Sequence, residues 1–286
     1  MFSNTTLKFW FDEIRKDLLG EYVENEANQM AKILLEDLSI MRVNEIATSP
    51  DLELSFAQIK LIEESLARLL QHEPIQYVTG ISEFAGLQFV VNKHVLIPRP
   101  ETEELINWIK QDFKGSANQN LKCIDLGTGS GIIPITLQYD NPNWDFTAVD
   151  LSKDALQVAS NNAAKHKANI IFMQEDILGP KQEYGLYDII ISNPPYVTEA
   201  DKNAMQKNVL DFEPHSALFV TDGDPLQFYK AIIQFAQKHL KTEGFIYCEI
   251  HEDYHSQTKD LFEKYYTQVE LKQDIHGKYR MIKASI

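Results

Sequence analysis

Cysteine is scarce in this chain of 286 residues: Cys123 and Cys248 are the only two. Two cysteines cannot build a disulfide framework or a cysteine-based zinc cluster. Both lie in apolar runs, KCIDL and FIYCEI, and read as buried, reduced thiols in strands, which fits a reducing cytoplasm. Positive charge is also in short supply, with 27 Lys plus Arg against 42 Asp plus Glu and a formal net charge of −15. Phosphate binding is driven by Lys and Arg, so a broad nucleic-acid surface is excluded, though a small local basic patch is not. No run approaches the roughly 18 apolar residues of a membrane span. The N-terminal segment lacks the basic stretch, apolar core and small-residue cleavage site of a signal peptide. There are no internal repeats and no low-complexity tracts. The eight histidines form no spaced set with the cysteines, so no metal site is expected.

What remains is the composition of a soluble globular protein, 44% hydrophobic and 24% charged, long enough for about two domains. Residues 1–73 read as helices. Leu7, Trp10, Phe11, Ile14, Leu18 and Leu19 recur at three- and four-residue steps, one face of an amphipathic helix. A second helix is expected over 23–38, and a third after Ser55, a candidate N-cap. Residues 74–99 change to short β-type runs broken by Gly and Ser, expected as a hairpin linker. Pro100, followed by Glu101, Thr102, Glu103 and Glu104, reads as a helix start, since proline suits the first turn and acids favour the positive end of the dipole.

From residue 121 strands and helices alternate. Strands are expected at 121–126, 144–150, 169–174, 187–192, 244–250, 267–272 and 279–284. Helices are expected at 131–139, 152–166, 225–240 and 252–264. The pattern predicts an α/β fold, a doubly wound and mostly parallel sheet over residues 100–286. The last two strands have only a turn around His276-Gly277 between them, so the sheet should end in an antiparallel strand.

Two motifs carry chemistry. Gly127-Thr128-Gly129-Ser130-Gly131 follows a predicted strand and opens a helix, and Asp150 ends the next strand, where a carboxylate can accept both hydroxyl hydrogens of a ribose. The spacing is GxGxG rather than the dinucleotide GxGxxG, and no pyrophosphate is required. The arrangement looks like an S-adenosylmethionine site. The glycine loop would pass the methionine end and the ribose, and Asp176 and Ile177 would flank the adenine. Asp176 is equally readable as a loop carboxylate capping a turn. The second motif, Asn193-Pro194-Pro195-Tyr196, lies just beyond the fourth strand of this region. Consecutive prolines fix the backbone and remove two donors, leaving carbonyls free. An amide or aryl-amine nitrogen is a poor nucleophile because its lone pair is delocalised. The Asn193 side-chain oxygen and the Pro194 carbonyl can hold its two N–H hydrogens and stabilise charge as it develops, while Tyr196 packs on the planar group. Asn193 therefore stands at both cofactor and substrate.

GTGSG, Asp150 and NPPY together resemble the methyltransferases that modify a planar nitrogen. Glu73-Pro74-Ile75-Gln76-Tyr77 through Gly80, the run from Val95 to Glu103, and Phe212-Glu213-Pro214 with Ala217-Leu218 are similar to the HemK/PrmC-type protein-(glutamine-N5) methyltransferases. The resemblance implies an N-terminal helical substrate-docking domain, a hairpin linker and a seven-stranded Rossmann-like methyltransferase domain. It implies S-adenosylmethionine as cofactor and the glutamine of the GGQ motif of peptide chain release factors as target, so a role in translation termination. In that reading Asn193 and Pro194 grip the glutamine amide and Tyr196 walls it. The family's D-x-x-G-x-x-R string appears as Asp274 to Arg280, readable as a β-turn with a buried Arg–Asp pair. Residues 99–103 are readable as a helix cap or as part of the active-site wall. The competing expectation is a DNA or RNA adenine N6-methyltransferase, which uses the same tetrapeptide; the acidity and the lack of a basic recognition segment weigh against it. A monomer in the cytoplasm, with no membrane or direct nucleic-acid contact, is expected.

Overall fold

The computed structural model describes residues 5–286 except 39, 43, 117 and 222, with backbone alone at 199, 203 and 204. It divides into two compact units: one of residues Met1–Ile81 with Gln206–Phe212, the other of Ser82–Met205 with Glu213–Ile286.

The first unit is helical: α1 (Leu7–Leu18), α2 (Glu24–Asp37), α3 (Glu45–Thr48), α4 (Phe56–Leu69) and α5 (Ile75–Thr79). The expected apolar stripe of α1 is buried, with Leu7, Trp10, Phe11, Ile14 and Leu18 in a core shared with Leu34 and Leu35 of α2 and Ile62 and Leu69 of α4. Leu19 lies 46% exposed, beyond the last turn of α1. Ser55 caps α4 through a reciprocal pair with Gln58: the Gln58 N–H donates to Ser55 Oγ at 3.3 Å, and the Ser55 N–H donates to Gln58 Oε1 at 2.9 Å. This satisfies two N–H groups that a helix start leaves open. The segment expected to open the hairpin linker is instead the short helix α5, stopped by Gly80 in the left-handed region at φ +76°. Arg68 of α4 holds its end, donating to the carbonyls of Tyr77 (3.0 Å) and Val78 (3.1 Å) and to both carboxylate oxygens of Glu73.

The second unit begins within β1 (Ile81–Phe84), which forms a hairpin with β2 (Leu87–Val90). Its two-residue turn is Ala85-Gly86, both at positive φ, the geometry that matches strand twist. Then follow α6 (Pro100–Asp112), β3 (Lys122–Leu126), α7 (Ile132–Asp140), β4 (Asp145–Asp150), α8 (Lys153–His166), β5 (Ile170–Gln174) and β6 (Tyr187–Ser192). A 3-10 turn (Glu199–Ala204) precedes α9 (Lys207–Phe212), which belongs to the helical unit, and α10 (His215–Leu218). The chain ends with α11 (Gln227–His239), β7 (Leu240–Glu249), α12 (His255–Phe262), β8 (Gln268–Gln273) and β9 (Tyr279–Ser285).

The seven large-sheet strands run in the order β5-β4-β3-β6-β7-β9-β8, parallel except that β9 is antiparallel to both neighbours. This is the expected doubly wound sheet with an antiparallel last strand. Successive side chains face opposite sides: Cys123, Ile189 and Ile191 pack with Trp108 and Ile109 of α6 and Ile133 of α7. Ile124 and Ile190 pack with Tyr229 and Ile232 of α11 and Phe262 of α12. Burial on both faces is why these strands read as continuous apolar runs. After β3 the chain moves to β4 on one side, while β6 lies on the other. That switch opens a crevice beyond the strand ends. No helix among the described residues is long and apolar enough to cross a membrane.

Candidate active site

Beyond the ends of β3, β4 and β6 lies a cavity of about 240 Å³, lined by residues 94–99, Thr102, Gly127–Ser130, Asp150–Ser152, 175–178, Asn193, Pro195, Ser216, Ala217 and Phe228. The glycine loop forms one wall. Gly127, Gly129 and Gly131 all have positive φ, a conformation side chains resist. A Cβ on Gly127 or Gly129 would meet nothing within 4 Å, whereas one on Gly131 would lie 3.1 Å from Ile135 and 3.2 Å from Ala159. The first two glycines leave the cradle open to a ligand; the third lets α7 and α8 approach.

Asp150 is tied to this loop. Its Oδ2 accepts the Gly129 N–H and its Oδ1 accepts the Ser152 N–H, both at 2.8 Å. Burial pushes its carboxyl above the usual range, and these backbone donors pull against the shift. Asp125, at the foot of the loop, is fully buried, and neither of its oxygens has a hydrogen-bond partner in good geometry among the described residues. Burial raises it to about 7; the Thr128 hydroxyl opposes the rise and Asp150 adds to it.

Across from the glycine loop, Asp176, Ile177 and Leu178 line the cavity. Asp176 Oδ1 accepts the Leu178 N–H at 2.9 Å, so its carboxylate caps a turn there. Glu175, buried behind it, gathers the N–H groups of Asp176, Lys181 and Gln182 at 3.1, 3.0 and 2.9 Å. Against the cost of burial, these bonds and the Tyr184 hydroxyl hold its carboxyl below the usual range. Glu175 escaped sequence reading because its partners are mostly backbone N–H groups.

The NPPY segment leaves β6 beneath the loop, where Ser192 Oγ donates to the Leu126 carbonyl at 2.6 Å. Beyond it, Val197 pairs with the strand-like segment after α10: its N–H donates to Leu218 O (3.0 Å) and its carbonyl accepts from Val220 N (2.8 Å). Asn193 and Pro195 line the cavity; Pro194 and Tyr196 are not among its lining residues. The Asn193 Nδ2 donates to Thr102 Oγ1 at 3.1 Å, the Thr102 hydroxyl donates to Glu249 Oε2 at 2.7 Å, and the Tyr196 hydroxyl donates to Glu249 Oε1 at 2.7 Å. Tyr196 packs against the α11 side of the core and edge-on to His251. Among the described residues no donor meets the Asn193 Oδ1 or the Pro194 carbonyl.

The Arg99 loop closes the front of the cavity. Glu213, buried, accepts from Arg99 Nη2 at 2.5 Å and from the Ile97 N–H at 3.1 Å. Residues 99–103 are thus split in role: Arg99 and Thr102 line the cavity, while Glu103 accepts the Ala85 N–H of the hairpin turn at 2.7 Å. Asp274 organises the last turn, accepting the His276 and Lys278 N–H groups at 2.9 Å, with Arg280 Nε 3.5 Å from its other oxygen. Sequence reading singled out neither Thr102 nor Glu249. The available signal was an acid ending the apolar run of β7 at the ligand end of the sheet.

Residues 102–213 match the family model of the methyltransferase small domain. The fold is shared with the N-terminal domain of human METTL16 in complex with SAH, with a TM-score of 0.51 at 15% identity over 95% of this chain and 94% of that one. With the open glycine cradle and Asp150 beside it, this is a methyltransferase whose cofactor is S-adenosylmethionine. Residues 10–80 match the PrmC N-terminal domain. The chain is 43% identical over 270 residues (94% of it, 95% of the relative) to the release factor glutamine methyltransferase of Flavobacterium psychrophilum. It is 37% identical over 274 residues (95% and 97%) to that of Bacteroides thetaiotaomicron. The chain belongs to the release factor glutamine methyltransferase family.

Proposed function

We propose that this enzyme transfers the methyl group of S-adenosylmethionine to the side-chain amide nitrogen, N5, of the glutamine in the GGQ motif of peptide chain release factors. The observation that carries the reading is the pair of unengaged acceptors at NPPY, the Asn193 Oδ1 and the Pro194 carbonyl, beside a cavity with an open glycine cradle. When bound, the cofactor supplies an electrophilic methyl group on a sulfonium. Residues 127–130, Asp150, Asp176 and Ile177 hold it, and Gly131 lets the loop's helix pack against α8. Asn193 and Pro194 accept the two N–H hydrogens of the glutamine amide, orient its nitrogen and stabilise the positive charge that develops there. The rigid Pro194-Pro195 backbone keeps both acceptors fixed. Tyr196, which does not line the cavity, braces the turn from outside it through its hydroxyl bond to Glu249. No strong base is required, because the amide nitrogen becomes strongly acidic once it has accepted the methyl group and loses its proton to water.

The helical residues 1–73 serve as the docking domain for the factor. An enzyme of net charge −15 favours a basic, RNA-binding protein as partner, and the same charge disfavours adenine in DNA or RNA as the acceptor. The enzyme works as a monomer in the cytoplasm, where Cys123 and Cys248 stay reduced. The test is incubation with labelled S-adenosylmethionine, purified release factor and adenine-containing DNA. Label is expected in the factor alone, and not in a factor whose GGQ glutamine is replaced. Label in DNA and none in the factor would overturn the reading.

A further inference from the structure

The Asn193 side chain is a carboxamide, and a carboxamide can face either way. Its use as an acceptor depends on which end points to the cavity. Glu249 decides this through hydrogen-bond bookkeeping. Burial pushes the Glu249 carboxyl up, and the Tyr196 and Thr102 hydroxyls oppose the rise; both hydroxyls donate to its oxygens, Thr102 at 2.7 Å and Tyr196 at 2.7 Å, the arrangement of a carboxylate that only accepts. The Thr102 hydroxyl has one hydrogen. Once that is given to Glu249, its oxygen can only accept, and the group that donates to it is the Asn193 Nδ2, at 3.1 Å. The Asn193 Oδ1 is then the end left for the cavity. Both relay residues are almost wholly buried, Thr102 at 1% and Glu249 at 1% exposure, so no bulk water can substitute for either bond.

We propose that Glu249, acting through Thr102, is a positioning residue that fixes the Asn193 amide with its oxygen toward the substrate, and that this makes the site select a carboxamide over a carboxylate. The selection rests on the function proposed above. A glutamine side chain offers N–H hydrogens to the Asn193 Oδ1. A glutamate in its place sets carboxylate oxygen against amide oxygen, with a repulsive contact in a site partly shielded from water. Turned round, Asn193 would present its N–H hydrogens, favouring the carboxylate and opposing the amide that must react.

The test compares Thr102→Val, which keeps the shape and removes the hydroxyl, with Thr102→Ser, which keeps the hydroxyl, in the full-length enzyme. Three quantities are read: methyl transfer to a release factor, equilibrium binding of the factor and of its GGQ-to-GGE variant, and the Asn193 side-chain N–H resonances. Wild type should bind the glutamine factor about 10-fold or more tighter than the glutamate variant. Thr102→Val should lose most of that preference and about 10²-fold in kcat, with S-adenosylmethionine affinity within a few-fold of wild type. Thr102→Ser should restore both. Glu249→Gln, whose amide can donate to Thr102 and release its hydrogen toward Asn193, should behave like Thr102→Val. Unchanged preference and unchanged Asn193 resonances in Thr102→Val overturn the relay, whatever the substrate. Shifted resonances in an enzyme whose wild type transfers no methyl to the factor overturn the substrate reading, and the selectivity with it, while leaving the relay standing.

Discussion

Gly129 donates its backbone N–H to Asp150 Oδ2 at 2.8 Å, so the acid read from sequence as a ribose ligand also holds the glycine loop in shape. Its other oxygen holds the Ser152 N–H at the start of α8. Asp150→Asn keeps the size but replaces one acceptor oxygen by a donor, which then faces a backbone N–H. We expect S-adenosylmethionine affinity to fall by 10-fold or more, and stability to fall by about 1–3 kcal/mol, the cost of a buried unpaired group. Calorimetric titration and urea denaturation measure the two. A variant that loses affinity at full stability would confine Asp150 to ribose binding.

Glu213 fastens the loop that closes the cavity, through Arg99 and the Ile97 N–H. The carboxylate is buried while Arg99 is about one-third exposed, so solvent weakens the pair below the scale of a fully buried one. Glu213→Gln should cost about 1–3 kcal/mol in urea denaturation. It should also weaken cofactor binding several-fold, because residues 94–99 lose their anchor. Unchanged cofactor affinity would show that the loop holds itself.

Asp125 gives a pH dependence of definite sign. Its folded-state value is about 7, against 3.8 for a free side chain, so the folded protein holds this proton more tightly than the unfolded chain. The contribution is fully present below about pH 4 and is lost as pH rises toward 7, at up to about 1.4 kcal/mol per pH unit while the two states differ by a full proton. Asp125→Asn removes the titrating group. The stability difference between variant and wild type should be near zero at pH 4, grow in the variant's favour to pH 7 and level off above it. Parallel stability curves from pH 4 to pH 8 would contradict the assignment.

Much of this molecule is legible before folding. The apolar stripe of α1 and the capping serine of α4 follow from local rules, and the alternating runs from residue 121 give the sheet because strands buried on both faces must be apolar. The antiparallel last strand follows from the short connection between β8 and β9. The illegible parts depend on contacts between distant segments. Ile75–Thr79 carries β-type residues, yet Arg68 collects the carbonyls of its helical turn, a tertiary interaction that overrides propensity. Residues 206–212 join the helical unit although residues 82–205, all of the other unit, intervene. At the site, the glycine loop, Asp150 and NPPY are local strings and stand out. Thr102 and Glu249 are 147 positions apart, and nothing in either neighbourhood announces their partnership. Tyr196 shows the same limit, since its hydroxyl partner lies on another strand.

Asn193→Ala removes the acceptor oxygen that the proposed chemistry uses. Turnover with release factor should fall by about 10²-fold or more, with cofactor affinity reduced far less, since the glycine cradle and Asp150 are untouched. Steady-state kinetics with calorimetric titration separate the two effects. Normal turnover would take Asn193 out of the mechanism.

The most direct test of the central claim is tandem mass spectrometry of a release factor treated with this enzyme and S-adenosylmethionine. One methyl group is expected, on the side-chain nitrogen of the GGQ glutamine, and none in a reaction with Asn193→Ala at matched time. A methyl group on any other residue, or an unmodified GGQ glutamine after exhaustive reaction with the wild-type enzyme, would contradict it.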